Sequence, residues 1–273
     1  MKLSLHLKYK HQGAGLMLLL LLVFRVQAQH ADLTDWKLIW EDQFEKEGQP
    51  DKEKWSFSGR STPDWACYCT DSKETAFVQD GRLILRSGLN TQAGDSVKYQ
   101  TGCLHTKKHF SFQYGKVEVK AMLSEGKGSW PAIWMMPRDA VYGGWPASGE
   151  IDIMEHLNYD SIFYQTIHST HVDQKDEKDN PPYYHTEKFL IGEFNIFGLE
   201  WYPDRLEFFL NGKKTFTYPR VESEGKDQWP FDQPFYLILN QALGGNWVGE
   251  IHDEDLPVEM QVDWVKVYQN ESR

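Results

Sequence analysis

Thr75-Ala-Phe-Val-Gln-Asp-Gly-Arg-Leu-Ile-Leu85 decides the fold class. Two short runs of strand-forming residues flank Asp80-Gly81, a dipeptide that supplies the positive φ angles of a tight hairpin turn. The same grammar recurs from Arg205 to Tyr218, where apolar and polar residues alternate on either side of Asn211-Gly212. Further β-rich runs are Gly115 to Ala121, Ala132 to Met136, Glu150 to Leu157, Phe163 to His168, Phe197 to Tyr202, Phe235 to Leu239 and Met260 to Tyr268. No stretch keeps a helical period. Many short strands separated by Gly, Pro, Asn and Asp predict an all-β domain of two packed antiparallel sheets.

One of these strands carries unusual chemistry. Ser148-Gly-Glu-Ile-Asp-Ile-Met-Glu-His156 places three acids among Ile151, Ile153 and Met154. A buried, unpaired carboxylate is costly, so something must offset it. In a regular strand Glu150 and Asp152 share a face and Glu155 points away. A one-residue bulge at Ile153-Met154 brings all three to one face. Glu150 and Glu155 are then effectively four residues apart, about 13 Å between Cα atoms. Side chains leaning toward each other leave roughly 5 to 6 Å between carboxyl groups, the spacing of a retaining glycosidase. In that chemistry one carboxylate attacks the anomeric carbon and a second, protonated, releases the leaving oxygen. Asp152 between them can hydrogen-bond the nucleophile and, by like-charge repulsion, hold a proton on a neighbour. The competing reading of such a cluster is a calcium site.

Aromatic residues surround this strand. Trp130 and Trp134 have even spacing in Gly128-Ser-Trp-Pro-Ala-Ile-Trp-Met-Met-Pro137, so both can face the acids as stacking platforms for sugar rings. Trp145 and Trp247 lie in loops and are candidate exposed platforms. His168, Asn240 and Gln241 are candidate contacts to sugar hydroxyls, the last two read at the end of a strand. Three long loops, Ser58 to Ser72, Arg138 to Ser148 and His171 to Lys188, are long enough to carry function.

The chain opens with Lys2, Lys8 and Lys10, an apolar run from Ala14 to Phe24, and Arg25-Val-Gln-Ala28, the layout of a signal peptide cut after Ala28. That predicts residues 29–273 as a single catalytic domain, exported to a periplasm, a surface or the medium, with no membrane insertion after cleavage. Removing residues 1–28 takes away four basic and no acidic side chains, leaving 25 basic against 40 acidic residues and a net charge of −15. Nucleic acid and anionic lipid need clustered Lys and Arg, so a neutral polymer fits better. Cys67 and Cys69 are too close to bridge easily, leaving at most one disulfide, to Cys103. The histidines lack a spacing such as H-E-x-x-H, so no catalytic metal or other cofactor is expected.

Taken together, Gly115-Lys-Val-Glu-Val-Lys120, Trp130-Pro-Ala-Ile-Trp-Met-Met-Pro137, Gly149-Glu-Ile-Asp-Ile-Met-Glu155 and Ala242-Leu-Gly-Gly-Asn-Trp247 resemble glycoside hydrolase family 16, in its laminarinase-like branch with the bulged E-x-D-x-x-E motif. The resemblance runs from Leu38 to Tyr268. It implies a β-jelly-roll sandwich with a substrate cleft across its concave face, with Glu150 as nucleophile, Asp152 as helper and Glu155 as acid/base. Transglycosylating relatives carry an unbulged E-x-D-x-E, so hydrolysis is expected. Many relatives also hold a structural calcium near an Asp-Glu-Phe run, which here reads Asp42-Gln43-Phe44; Asp263 is the remaining candidate ligand. Among the family's substrates, the segments His156 to Ser169 and Leu256 to Met260 look most like gut-bacterial members acting on mucin-type O-glycans. The resemblance therefore implies an endo-β-1,4-galactosidase on N-acetyllactosamine chains, with β-1,3- or mixed-linkage glucanase as the alternative; a monomer is expected, although the residues themselves leave the oligomeric state open. A lectin-like carbohydrate-binding module is the reading from another class, which the presence of both Glu150 and Glu155 disfavours.

Overall fold

The computed structural model describes residues 36–270, and residues 36–269 form one compact unit. The expected signal peptide, residues 1–28, lies outside the described residues. Among these, sixteen strands and a few short 3-10 and π turns make up the regular structure.

One sheet has nine strands: β1 (Trp36–Asp42), β3 (Ala76–Gln79), β4 (Arg82–Leu89), β5 (Tyr99–Gln100), β7 (Gly115–Leu123), β12 (Asn195–Trp201), β13 (Arg205–Leu210), β14 (Lys213–Pro219) and β16 (Val258–Asn270). The other has seven: β2 (Ser56–Phe57), β6 (Gly102–His105), β8 (Ser129–Pro137), β9 (Glu150–His156), β10 (Ile162–His168), β11 (Tyr184–Lys188) and β15 (Phe235–Leu243). Its spatial order is β11-β10-β9-β8-β15-β6-β2, and every register described in it is antiparallel. This is the expected β sandwich.

Both turn dipeptides do what their chemistry predicts. Asp80 and Gly81 have φ of 52° and 70°, and Asn211 and Gly212 have 51° and 79°. They close the β3–β4 and β13–β14 hairpins.

The two sheets differ in how they meet water. β7 alternates strictly between buried and half-buried residues, as expected of a sheet with one face in the core and one in solvent. β9 and β15 are buried on all but one residue each, and β8 on six of nine. Their inner side chains, among them Ile133, Met135, Ile151, Leu237 and Leu239, join the shared core with Val117, Val119, Phe197, Leu199 and Val265 of the other sheet. Each such side chain contributes roughly 1.5–3 kcal/mol of burial free energy. The outer face of the seven-stranded sheet is covered instead by loops, and the acids sit there.

Two expectations need correction. The segment from His171 to Lys188 is not one loop: a π turn, Thr170–Gln174, opens it, and β11 closes it by pairing with β10. Asn240 and Gln241 lie inside β15, not at its end, so they point to opposite faces. Asn240 faces the acids. Gln241 is fully buried on the core side, where its amide donates to Ser129 Oγ (2.9 Å), and it cannot touch a substrate in the cleft.

Cys69 and Cys103 form the one disulfide among the described residues, and the Cys67 thiol donates to Asp64 O at 3.0 Å. The bond ties the Ser58–Ser72 loop to β6.

Candidate active site

The site begins with a register shift. On β10, Tyr164 pairs with Glu155 and Thr166 with Asp152, so Ile153 and Met154 together oppose the single residue Gln165. On the other side Met154 pairs with Ile133 and Asp152 with Trp134, which leaves Ile153 as the extra residue. This is the bulge expected at Ile153-Met154, and it puts Glu150, Asp152 and Glu155 on one face.

Cross-strand pairing organises that face into rows running across the strands. One row is Glu155, Ala132, Asn240 and Cys103; the next is Asp152, Trp134, Ile238 and His105. Further along β9, Glu150 pairs with His168 of β10, and its charge reaches Tyr236 of β15. A polymer lying along the rows crosses β9 between Glu150 and Glu155. Both carboxylates line one small depression with Trp65, Trp130, Trp134 and Asn240.

Gly149 sets the strand's entry. Its φ is +83°, and a Cβ there would sit 2.8 Å from Phe231 and Pro230, so only glycine suits the position. The preceding loop folds back through Ser148, whose hydroxyl accepts from Tyr142 N (3.0 Å) and donates to Gly143 O (2.6 Å). That fold delivers Trp145 to the acids.

Each glutamate receives one indole N–H. Trp145 donates to Glu150 Oε2 at 2.6 Å, and Trp130 donates to Glu155 Oε1 at 3.0 Å. Trp145 stays 57% exposed and Trp247 48% exposed, as loop platforms should be, and Trp247 stands edge-on to both Trp130 and Tyr164. Trp134 differs from the expectation of an open platform. It is 5% exposed, covered edge-on by Trp65 at 4.9 Å, and its N–H donates to Asn240 Oδ1 at 2.6 Å. Trp134 and Asn240 thus form the floor of the cleft, where one amide and one indole satisfy each other.

His168 is the local cation. Its Nδ1 lies 3.0 Å from Asp173 Oδ1 and its Nε2 3.4 Å from Asp152 Oδ2. With a carboxylate at each nitrogen the ring carries both protons. Burial alone would lower its pKa, but hydrogen bonds to Asp152 and Asp173 and the charges of Asp152 and Glu150 outweigh it and push it up to about 12. Glu150 is pushed up to about 8, chiefly by burial and then by the charge of Asp152, while His168 and the Trp145 N–H pull the other way. Glu155 is raised well above the usual carboxylate range by burial and by the charges of Asp152 and Glu150. The two glutamates are therefore unequal. Glu155 favours its neutral form, and Glu150 has a cation beside it.

Glu150, Asp152 and His168 offer ligand atoms within 4.8 Å of one another, the only such group of three or more among the described residues. Its donor set fits a metal poorly, because a ligating histidine must be neutral and this one is held between two carboxylates as the imidazolium. Asp263 does not fit a calcium site either. Its Oδ2 lies 2.8 Å from Lys120 Nζ, and Gln43 turns its amide to Glu41.

Residue patterning singled out neither Asp173 nor Tyr236 as functional, and placed Trp65 only in a loop of interest. Asp173 approaches His168 through a π turn that no sequence period announces. Asp64 on the Trp65 loop accepts from Asn246 N at 2.7 Å, which fixes that loop to the one carrying Trp247.

Comparison with known proteins gives a consistent picture. The family described as "Glycosyl hydrolases family 16" matches residues 65–266. The chain is 45% identical over 236 residues to a keratan-sulfate endo-1,4-beta-galactosidase of Sphingobacterium multivorum, covering 86% of this chain and 56% of that protein. It therefore spans little more than half the length of that relative. Among solved structures, a non-specific endo-beta-1,3(4)-glucanase aligns with a TM-score of 0.79 and 34% identity, over 87% of this chain and 96% of the other. A structure described by the words "Prominent members of the human gut microbiota express endo-acting O-glycanases to initiate mucin breakdown" aligns with a TM-score of 0.75 and 33% identity, over 86% of this chain and all of that one.

Proposed function

Because the chain belongs to glycosyl hydrolases family 16, we propose that it is an exported, retaining endo-β-glycosidase that cleaves β-1,4-galactosidic bonds within N-acetyllactosamine-type host glycans. The observation that carries the chemistry is the bulge of β9, which sets Glu150 and Glu155 on one face of one cleft, each in a different electrostatic setting.

Glu150 lies between the carboxylate of Asp152, whose charge raises its pKa, and the His168 cation, which favours its ionised form. Ionised Glu150 is the nucleophile. It attacks the anomeric carbon as the glycosidic C–O bond breaks, and Glu155 gives its proton to the leaving oxygen. Water then enters, Glu155 takes a proton from it, and the oxygen displaces Glu150 from the sugar. The anomeric configuration is inverted twice and so retained. Trp130, Trp145 and Trp247 offer stacking surfaces for the flanking sugars.

The galactoside reading is supported by the 45% identity to a keratan-sulfate endo-1,4-beta-galactosidase and by the likeness to the structure described with endo-acting O-glycanases. A β-1,3- or mixed-linkage glucanase is the second reading, favoured by the likeness to the endo-beta-1,3(4)-glucanase. Export is supported by the layout of residues 1–28 and by the Cys69–Cys103 bond, which suits an oxidising compartment. No helix among the described residues is long and apolar enough to cross a membrane.

The test is to incubate the purified protein and a Glu150→Gln variant with mucin O-glycans, poly-N-acetyllactosamine, laminarin and barley β-glucan, and to size the products by mass spectrometry. Oligosaccharides from the galactans, absent with the variant, are expected. Products from laminarin or barley glucan alone would favour the second reading, and binding without cleavage of any polymer would favour a lectin-like module.

A further inference from the structure

The chain as a whole is acidic, with a net charge of −11, yet one end of the cleft is not. Beyond β15 the cleft face continues onto β6, where His105 shares a row with Ile238, Trp134 and Asp152. The chain then turns through Thr106, whose N–H donates to Leu237 O at 3.0 Å, into Lys107-Lys108-His109. Lys107 Nζ stands 5.4 Å from the ring centre of Tyr236, and His105 packs on the same ring at 5.9 Å. Tyr236 in turn packs with Trp134 and Ile238 on the cleft face, and the charge of Glu150 reaches it. Among the described residues neither Lys107 nor Lys108 forms an ion pair, so two adjacent ammonium groups stand open at this end of the cleft.

His105 completes the arrangement. Its Nδ1 accepts from Lys107 N at 3.3 Å, which leaves the proton on Nε2. Burial and the neighbouring charges of Lys107, Lys108 and His109 lower its pKa, so the ring is neutral and is a donor at Nε2. β6 lies three strand spacings from β9, about 14 Å at roughly 4.8 Å per strand, the reach of a few sugar units from the cleaved bond.

We propose that His105, Lys107 and Lys108, beside the Tyr236 ring, form an anion-binding subsite at the β6 end of the cleft, which takes a sulfate ester or sialyl carboxylate carried by the glycan. The proposal rests on the glycosidase reading and deepens it. The subsite sets preference for decorated chains and takes no part in bond cleavage. It also revises the expectation of a neutral polymer: an acidic enzyme repels an anionic chain at long range, and a local cluster of unpaired cations is what lets one enter.

The test compares kcat/KM of the full-length protein on sulfated keratan chains and on the same chains after chemical desulfation. A Lys107→Ala/Lys108→Ala variant is run beside a control, Lys213→Ala/Lys266→Ala, which removes equal charge from the nine-stranded sheet. Wild type is expected to prefer the sulfated chain. The Lys107/Lys108 variant should lower that ratio about fivefold through KM, the size expected of two exposed charge contacts. The control should keep the ratio, and 0.5 M salt should reduce the wild-type ratio to that of the variant, since roughly 10 Å screening at 0.1 M shortens further. Sialylated and desialylated chains, run the same way, separate carboxylate from sulfate as the ligand. An unchanged ratio in the Lys107/Lys108 variant, or an equal fall in the control, overturns the subsite. If the protein cuts laminarin and no galactan, the galactoside reading fails by itself, and the same ratio is then read on sulfated and unsulfated laminarin.

Discussion

Glu150 and Glu155 are the same residue type on the same strand, each capped by one tryptophan N–H, yet their surroundings make them chemically different. Beside Glu150 stands His168, held charged between Asp152 and Asp173. Glu155 has Trp130 as its donor, and the dominant influences on it are burial and two negative neighbours. Both are raised by burial and by the charge of Asp152, but at Glu150 the leading opposing influence is the His168 cation, whereas Glu155 carries the added charge of Glu150. Separate catalytic roles follow from environment, with the bulge needed only to make the two face the same substrate.

The largest effect should come from erasing the charged partner. Glu150→Gln is expected to lower kcat on the natural polymer by at least about 10³-fold, because covalent catalysis is lost outright; addition of azide to a Glu150→Gly variant should restore turnover with the opposite anomer in the product. Glu155→Gln should cost about 10²- to 10⁴-fold on the polymer, the range for a general acid. The loss should shrink on an aryl glycoside whose leaving group needs no proton, and a loss independent of the leaving group would contradict the acid role.

Weakening the cation is a smaller change. Asp173→Asn leaves His168 with less negative charge around it and so more readily neutral. His168 then loses its proton at lower pH, and with it the cation beside Glu150, so the basic limb of the kcat/KM profile should move to lower pH while activity at pH 5 is kept. A basic limb that stays in place would make Asp173 merely structural.

The mildest variant sharpens the comparison from the other side. Trp130→Phe removes the donor that favours ionised Glu155, so the acid keeps its proton to higher pH. The basic limb, already expected above the usual carboxylate range, should rise by a further fraction of a unit with only a few-fold change in kcat.

The parts of this arrangement that were legible in the sequence are those governed by local rules. The Asp80-Gly81 and Asn211-Gly212 hairpins follow from positive φ, and the bulge follows from the parity of Glu150, Asp152 and Glu155 once all three are required on one face. Gln241 shows where such rules stop. β15 reads as Phe-Tyr-Leu-Ile-Leu-Asn-Gln-Ala-Leu with no alternation, because one face packs in the core and the other under Trp65 and the cleft aromatics, so nothing in the run says which of Asn240 and Gln241 faces out. Asp173 and the cations after β6 were illegible for a related reason. Their roles depend on which strand lies beside which, and a chain-wide charge count averages a three-residue cluster away.

The most direct test of the central claim is to trap the covalent intermediate with a 2-deoxy-2-fluoro glycoside bearing an activated leaving group, digest the protein, and locate the adduct by mass spectrometry. The label is expected on Glu150, within the peptide that also carries Asp152 and Glu155, and it should vanish in the Glu150→Gln variant. A label on Glu155 would reverse the two roles. Turnover with inverted product anomers and no adduct would contradict double displacement altogether.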